Sequence, residues 1–150
     1  MIEARELEAT MQDMGRRARQ AARRLALASG AEKNAALAAM GERLAAGRDV
    51  VLAANAADCA AAEKAGLSPA LVDRLRLDAR RFDSLIAAVN AIHSLDDPIG
   101  TALAEWQRPN GLIIERRRVP IGVIAMIYES RPNVTVDAAA LCLKAGNAVI

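Results

Sequence analysis

Over roughly the first two-thirds of the chain, apolar residues recur every three or four positions, the period of helices packed on one face. Leu7, Met11, Met14, Ala18, Ala21 and Leu25 form such a stripe, which predicts one long amphipathic helix ending at Ser29-Gly30. Ser29 also stands three residues before Glu32, the spacing of a capping box. The helix it opens is expected to bury Leu37, Met40 and Leu44 and to stop at Gly47. A third helix is expected from near Asp49 to Gly66, with a break near Asn55. Ser68 and Pro69 have the character of an N-cap and a first helical residue. Asp78 similarly precedes a fifth helix carrying Phe82, Leu85, Ile86, Val89 and Ile92.

Near Asp96-Asp97-Pro98 the pattern changes. Arg108-Pro109-Asn110-Gly111 is a turn signal, and TALAEWQ and LIIERRRV on either side predict an antiparallel hairpin over about 101–119. After Pro120, GVIAMIY is a short continuous apolar run, as in a parallel strand covered on both faces. A helix over Val134 to Lys144, closed by Gly146, and a second strand beginning at NAVI complete a strand–helix–strand unit over 121–150. Such a unit is the right-handed crossover of a doubly wound sheet. The predicted class is therefore α/β, with helices over 1–95, then the hairpin, then a first βαβ unit. One crossover does not complete a parallel sheet. Val149 and Ile150 are expected to have further strand neighbours, and the chain to be the N-terminal part of a longer protein.

Composition narrows the function classes. The hydrophobic fraction is 53%, much of it alanine, and the aromatics are Phe82, Trp106 and Tyr128 alone. The 20 basic and 18 acidic residues leave a net charge of +2, which gives no basis for a nucleic-acid partner. No apolar run reaches the roughly 20 residues that span a bilayer. MIEARELEAT lacks the basic and apolar regions of a secretory signal. Cys59 and Cys142 follow no disulfide framework, as expected of a reduced cytoplasmic protein.

The stretch with most chemical potential is YESRPNVTVD, Tyr128 to Asp137. Open parallel sheets bind ligands where strands end and helices begin. Arg131 and Asn133 fall on that connection, where an arginine suits an anionic substrate and an asparagine amide can donate to an oxyanion. The competing reading makes Asn133 an N-cap and Arg131 a solvated loop residue. Neither a G-x-G-x-x-G loop nor a P-loop is present. Arg116-Arg117-Arg118 would alternate faces on a strand and fit an exposed edge or a subunit contact better than a nucleic-acid patch. Cys59 and Cys142 fall within apolar helices and are expected to pack. His93 is the single histidine, so no metal site is expected; Asp96 and Asp97 are expected as turn residues.

Taken together, EKNAALAAMGERLAA, AANAADCAAAEKAGLSPALVDRL and ERRRVPIGVIAMIYESRPNVTVDAAALCLKAGNAVI resemble the gamma-glutamyl phosphate reductase (glutamate-5-semialdehyde dehydrogenase) family of the aldehyde dehydrogenase superfamily. The resemblance implies a Rossmann-type cofactor-binding domain with an oligomerisation hairpin. It implies NADPH-dependent reduction of L-glutamyl 5-phosphate to glutamate 5-semialdehyde with release of phosphate, the second step of proline biosynthesis, in a cytoplasmic homo-oligomer. Asn133 would correspond to the superfamily's oxyanion donor, and Ile127, Tyr128 and Glu129 to the strand end flanking the nicotinamide. Arg131 is placed near the anionic substrate by charge alone. The family's nucleophilic cysteine has no counterpart in Cys59 or Cys142, so the piece alone is expected to be inactive. A non-catalytic helical oligomerisation module is the alternative, since helices and hairpin are the best-formed features.

Overall fold

A computed structural model describes residues 4–150; positions 1–3 of the predicted helical region and of the N-terminal stretch lie outside the described residues. Five helices come first: α1 (Ala4–Leu25), α2 (Gly30–Ala46), α3 (Arg48–Lys64), α4 (Pro69–Leu75) and α5 (Ala79–Ser94). A hairpin of β1 (Ala102–Gln107) and β2 (Ile113–Arg117) follows, then β3 (Val123–Ile124), α6 (Pro132–Lys144) and β4 (Ala148–Val149). β1 and β2 pair antiparallel with an irregularity between Ala102 and Ala104, and β3 and β4 pair parallel. The fold is α/β, with two two-stranded sheets among the described residues.

Local signals set most helix boundaries. Ser29 and Glu32 make both bonds of the capping box, and Asp78 accepts from the Arg81 N–H at 2.7 Å. Pro69 takes the first position of α4, although the Ser68 side chain makes no capping bond. The break expected at Asn55 is absent, because that side chain bonds outside its own helix. Buried in α3, its Nδ2 donates to Leu75 O at 2.8 Å and its Oδ1 accepts from Leu77 N at 2.6 Å. One amide thus satisfies both backbone groups at the α4–α5 junction.

The main core lies between α2, α5 and α6, where Leu37, Val89, Ile92 and Ala140 are buried together. Next to it Leu77, Phe82 and Leu85 pack with Leu44, Leu52 and Val136. Two lysines are buried in this half. Lys33, 2% exposed, pairs with Asp97 at 2.7 Å. Lys144, 4% exposed, donates to Asn34 Oδ1 at 2.7 Å and to His93 O at 3.0 Å. Asp97 is therefore more than a turn residue. Burial pushes its pKa up, but the bonds from Lys33 and the Ile99 N–H outweigh that, so the carboxyl stays below the usual range.

Two expectations for apolar faces are corrected. Leu7, Met11 and Met14 of the α1 stripe are exposed, and so is Ala21. Of the stripe, Ala18 is buried and Leu25 half-buried; Ala22, outside it, is buried too, and these small alanines let the helix approach Ala148 and Val123 closely. Nor is all of GVIAMIY a strand covered on both faces. Only Val123 and Ile124 are β3, because the strand it pairs with is itself two residues long, and Met126, Ile127 and Tyr128 are exposed. Gly146 ends α6 at φ +70°, where a Cβ would stand 3.0 Å from Pro120 Cγ. Asn147 then accepts from the Gly122 N–H at 2.8 Å, fixing β4 against the start of β3.

Candidate functional site

Pairing carries on briefly beyond β3: Ile150 N donates to Ile124 O at 2.9 Å and Met126 N donates to Ile150 O at 2.7 Å. There the chain leaves the sheet. Ile127, Tyr128 and Glu129 are all exposed, Ile127 at 98%. The Tyr128 hydroxyl bonds the Thr135 hydroxyl, tying this segment to the beginning of α6. Ser130 has φ +50°, and it is the one non-glycine residue with positive φ among the described residues. That conformation costs about 1–2 kcal/mol, and strain of this kind gathers at ligand sites.

Helix α6 begins two residues before the expected Val134, with Pro132 at its first position. Arg131 occupies the cap position and makes no side-chain capping bond. Asn133 is therefore inside the first turn and is not the N-cap. Its Nδ2 donates to Asp137 Oδ2 at 3.0 Å, one helical turn on. A carboxylate only accepts, so this bond fixes which end of the amide is the donor. The second N–H on Nδ2 remains for another acceptor.

Arg131, Asn133 and Asp137 line one wall of a cleft of about 400 Å³. Asp73, Arg74 and Arg76, from α4 and the turn after it, line the other, with Arg81 and Ser84 of α5. Arg81 is engaged through both terminal nitrogens: both Asp73 carboxylate oxygens accept from it at 2.9 and 3.1 Å, as do the backbone oxygens of Asp73 and Arg76. Arg76 meets Glu63 at 3.3 Å in a half-exposed pair. Among the described residues, Arg74 and Arg131 make no side-chain hydrogen bond or ion pair. Four guanidinium groups thus face two carboxylates, one of which Arg81 already neutralises. Electrostatically this is a place for a small anion.

Of the residues singled out in the sequence, the cleft unites Arg131 and Asn133; Ile127, Tyr128 and Glu129 lie at the strand end outside its lining. Both cysteines are buried. Burial raises the Cys142 pKa, the opposite of what a nucleophile needs, and Cys59 faces Asn55 Oδ1. His93 contributes its carbonyl to Lys144, and no group of side chains among the described residues has the makings of a metal site. Arg116, Arg117 and Arg118 are exposed on and after β2, with Arg117 paired to Glu115. Sequence reading missed Asp137, Arg74, Arg76 and Arg81. Only the i,i+4 spacing of Asn133 and Asp137 signalled any of them.

A polar cleft beside the helix that follows a parallel strand is the ligand-binding end of an open α/β layer, and that is the class of protein here. No family model matches the chain. Relatives do. The gamma-glutamyl phosphate reductase of Rhodopseudomonas palustris (strain HaA2) is 54% identical over 145 residues, 97% of this chain and 34% of the relative. The crystal structure of gamma-glutamyl phosphate reductase from Thermotoga maritima matches with a TM-score of 0.88 at 42% identity, over 92% of this chain and 33% of that one. The Saccharomyces cerevisiae enzyme of the same name gives 0.89 at 29% identity, with 92% and 35% covered. Over nearly its whole length, then, the chain is homologous to the gamma-glutamyl phosphate reductase family. It spans about a third of the length of the curated relatives it matches.

Proposed function

We propose that this chain supplies part of the cofactor-binding domain and one wall of the active site of an NADPH-dependent gamma-glutamyl phosphate reductase. The reaction converts L-glutamyl 5-phosphate to L-glutamate 5-semialdehyde and phosphate, in the proline branch of amino-acid biosynthesis in the cytoplasm. A cysteine thiolate from outside residues 4–150 attacks the acyl phosphate, phosphate leaves, and the resulting thioester is reduced. NADPH, when bound, supplies the hydride. Asn133 donates its free N–H to the carbonyl oxygen as it gains negative charge, and Asp137 holds the amide in that orientation. Arg131 stands beside the substrate's anionic group. Ile127, an apolar side chain almost wholly in solvent at a strand end, suits the face of a flat nicotinamide ring, with Tyr128 and Glu129 flanking it.

The observation that carries this reading is the state of the Asn133 amide. It is not consumed in capping α6, it is oriented by a carboxylate, and it lines a cleft rich in arginine. A subunit contact accompanies this reading: Leu103, Trp106, Leu112 and Ile113 of the hairpin are exposed apolar side chains, suited to a homo-oligomer. The alternative of a purely structural module rests on the same surface and leaves the cleft without a role.

In a full-length reductase carrying this segment, Asn133→Ala is expected to lower kcat by about 100-fold or more, as removal of an oxyanion donor does. The melting temperature should hardly move, because the residue is exposed and caps nothing. Unchanged turnover would refute the assignment.

A further inference from the structure

We infer that the cleft lined by α4, α5 and the first turn of α6 is a phosphoryl-binding site, with Arg74, Arg76 and Arg131 supplying its charge. Resting on the reductase reading above, this assigns it to the phosphoryl group of the acyl phosphate. In an acyl phosphate one bridging oxygen separates phosphorus from the carbonyl carbon, so a donor on the carbonyl oxygen has the phosphoryl oxygens close by. Arg131 is two residues from Asn133 on the same wall. The opposite wall brings Arg74 and Arg76 from a part of the chain that sequence patterning marks only as helix.

The charges in the cleft are already sorted. Asp73 is covered by Arg81 and does not repel an incoming anion, and Asp137 accepts from Asn133. Arg74 and Arg131 are free of partners among the described residues. Arg76 has only a half-exposed pair with Glu63, the kind of contact worth little in water, which a dianion can displace. Guanidinium groups present paired N–H donors that match phosphoryl oxygens two at a time. The volume of about 400 Å³ accommodates a phosphoryl group with part of the acyl chain attached. The same chemistry would suit the 2′-phosphate of the cofactor, so a test must separate the two sources.

The 150-residue chain can be titrated at constant ionic strength with inorganic phosphate, with adenosine 2′-monophosphate and with chloride, following backbone amide shifts by NMR. Phosphate is expected to give saturable shifts confined to residues 74–84 and 131–137. Arg76→Gln and Arg131→Gln should each weaken that binding about tenfold, the worth of a hydrogen bond to a charged group, while the remaining shifts stay native. In the full-length enzyme run towards acyl phosphate, Arg76→Gln should raise the KM for phosphate by a similar factor and leave the KM for the aldehyde unchanged. Linear, unsaturable shifts, or equal affinity in both variants, would overturn the site. Tighter binding of the 2′-nucleotide than of phosphate would overturn the assignment to substrate. Should Asn133→Ala keep full turnover while phosphate still saturates the cleft, the oxyanion role of Asn133 fails and the anion site stands.

Discussion

The two halves of the molecule treat their apolar residues differently. In the α2–α5–α6 half, Leu37, Phe82, Val89 and Ala140 are essentially withdrawn from water, and even two lysines are buried with partners. In the hairpin and the β3–β4 pair, Leu103, Trp106, Ile113, Ile121, Met126 and Ile127 remain exposed. Helices satisfy their backbone groups internally and need only one covered face. Strands need neighbours in the sheet and layers above it, and two-stranded ribbons have few of either. The cleft is built on the self-sufficient half. α6 is held by Ala140 and Val136 in the helical core, and that packing fixes where Arg131 and Asn133 stand.

The largest effect should come from the centre of the helical half. Phe82 is fully buried, with the Arg48 guanidinium 5.3 Å over its ring. Phe82→Ala is expected to destabilise the chain by about 3–5 kcal/mol, read as the shift in urea midpoint. A loss as small as that of an exposed hairpin residue would break the contrast between the halves.

A smaller loss is expected at the buried ion pair. Asp97→Asn leaves the Lys33 ammonium buried without its counter-charge, at a cost of about 1–3 kcal/mol at neutral pH. Because the folded pKa of Asp97 is depressed, its contribution is fully present above the ordinary aspartate pKa of about 4. It is lost as pH falls through the lower folded value. Urea midpoints at pH 7, 4 and 3 should therefore fall less steeply in Asp97→Asn than in the parent chain. Parallel pH profiles would show that Asp97 carries none of the acid sensitivity.

What could be read from the sequence was local. The Ser29–Glu32 box, Asp78 and Pro69 act within a turn of the chain, so they marked the starts of α2, α5 and α4 correctly. The core faces of α2 and α5 followed from their period. Contacts between distant positions were hidden. Lys33 and Asp97 are 64 residues apart, and Lys144 and Asn34 are 110 apart. Asn55 looked like a helix breaker because its bonds to Leu75 and Leu77 are non-local. GVIAMIY has the composition of a strand covered on both faces, but strand length is set by the partner, and β4 pairs with only Val123 and Ile124. At the site, Arg131 and Asn133 were evident from their place between strand and helix. Arg74 and Arg76 were not, because nothing in their spacing shows that they line the same cleft as the start of α6.

The most direct test of the claim that the cleft rests on the rigid helical half is amide hydrogen exchange on the 150-residue chain. Amides of α2, α5 and α6 should exchange at least about 100-fold more slowly than those of β1 and β2, with protection in α6 reaching the turn after Asn133. Protection in the hairpin equal to that in α5, or an α6 that exchanges freely up to Ala140, would contradict it.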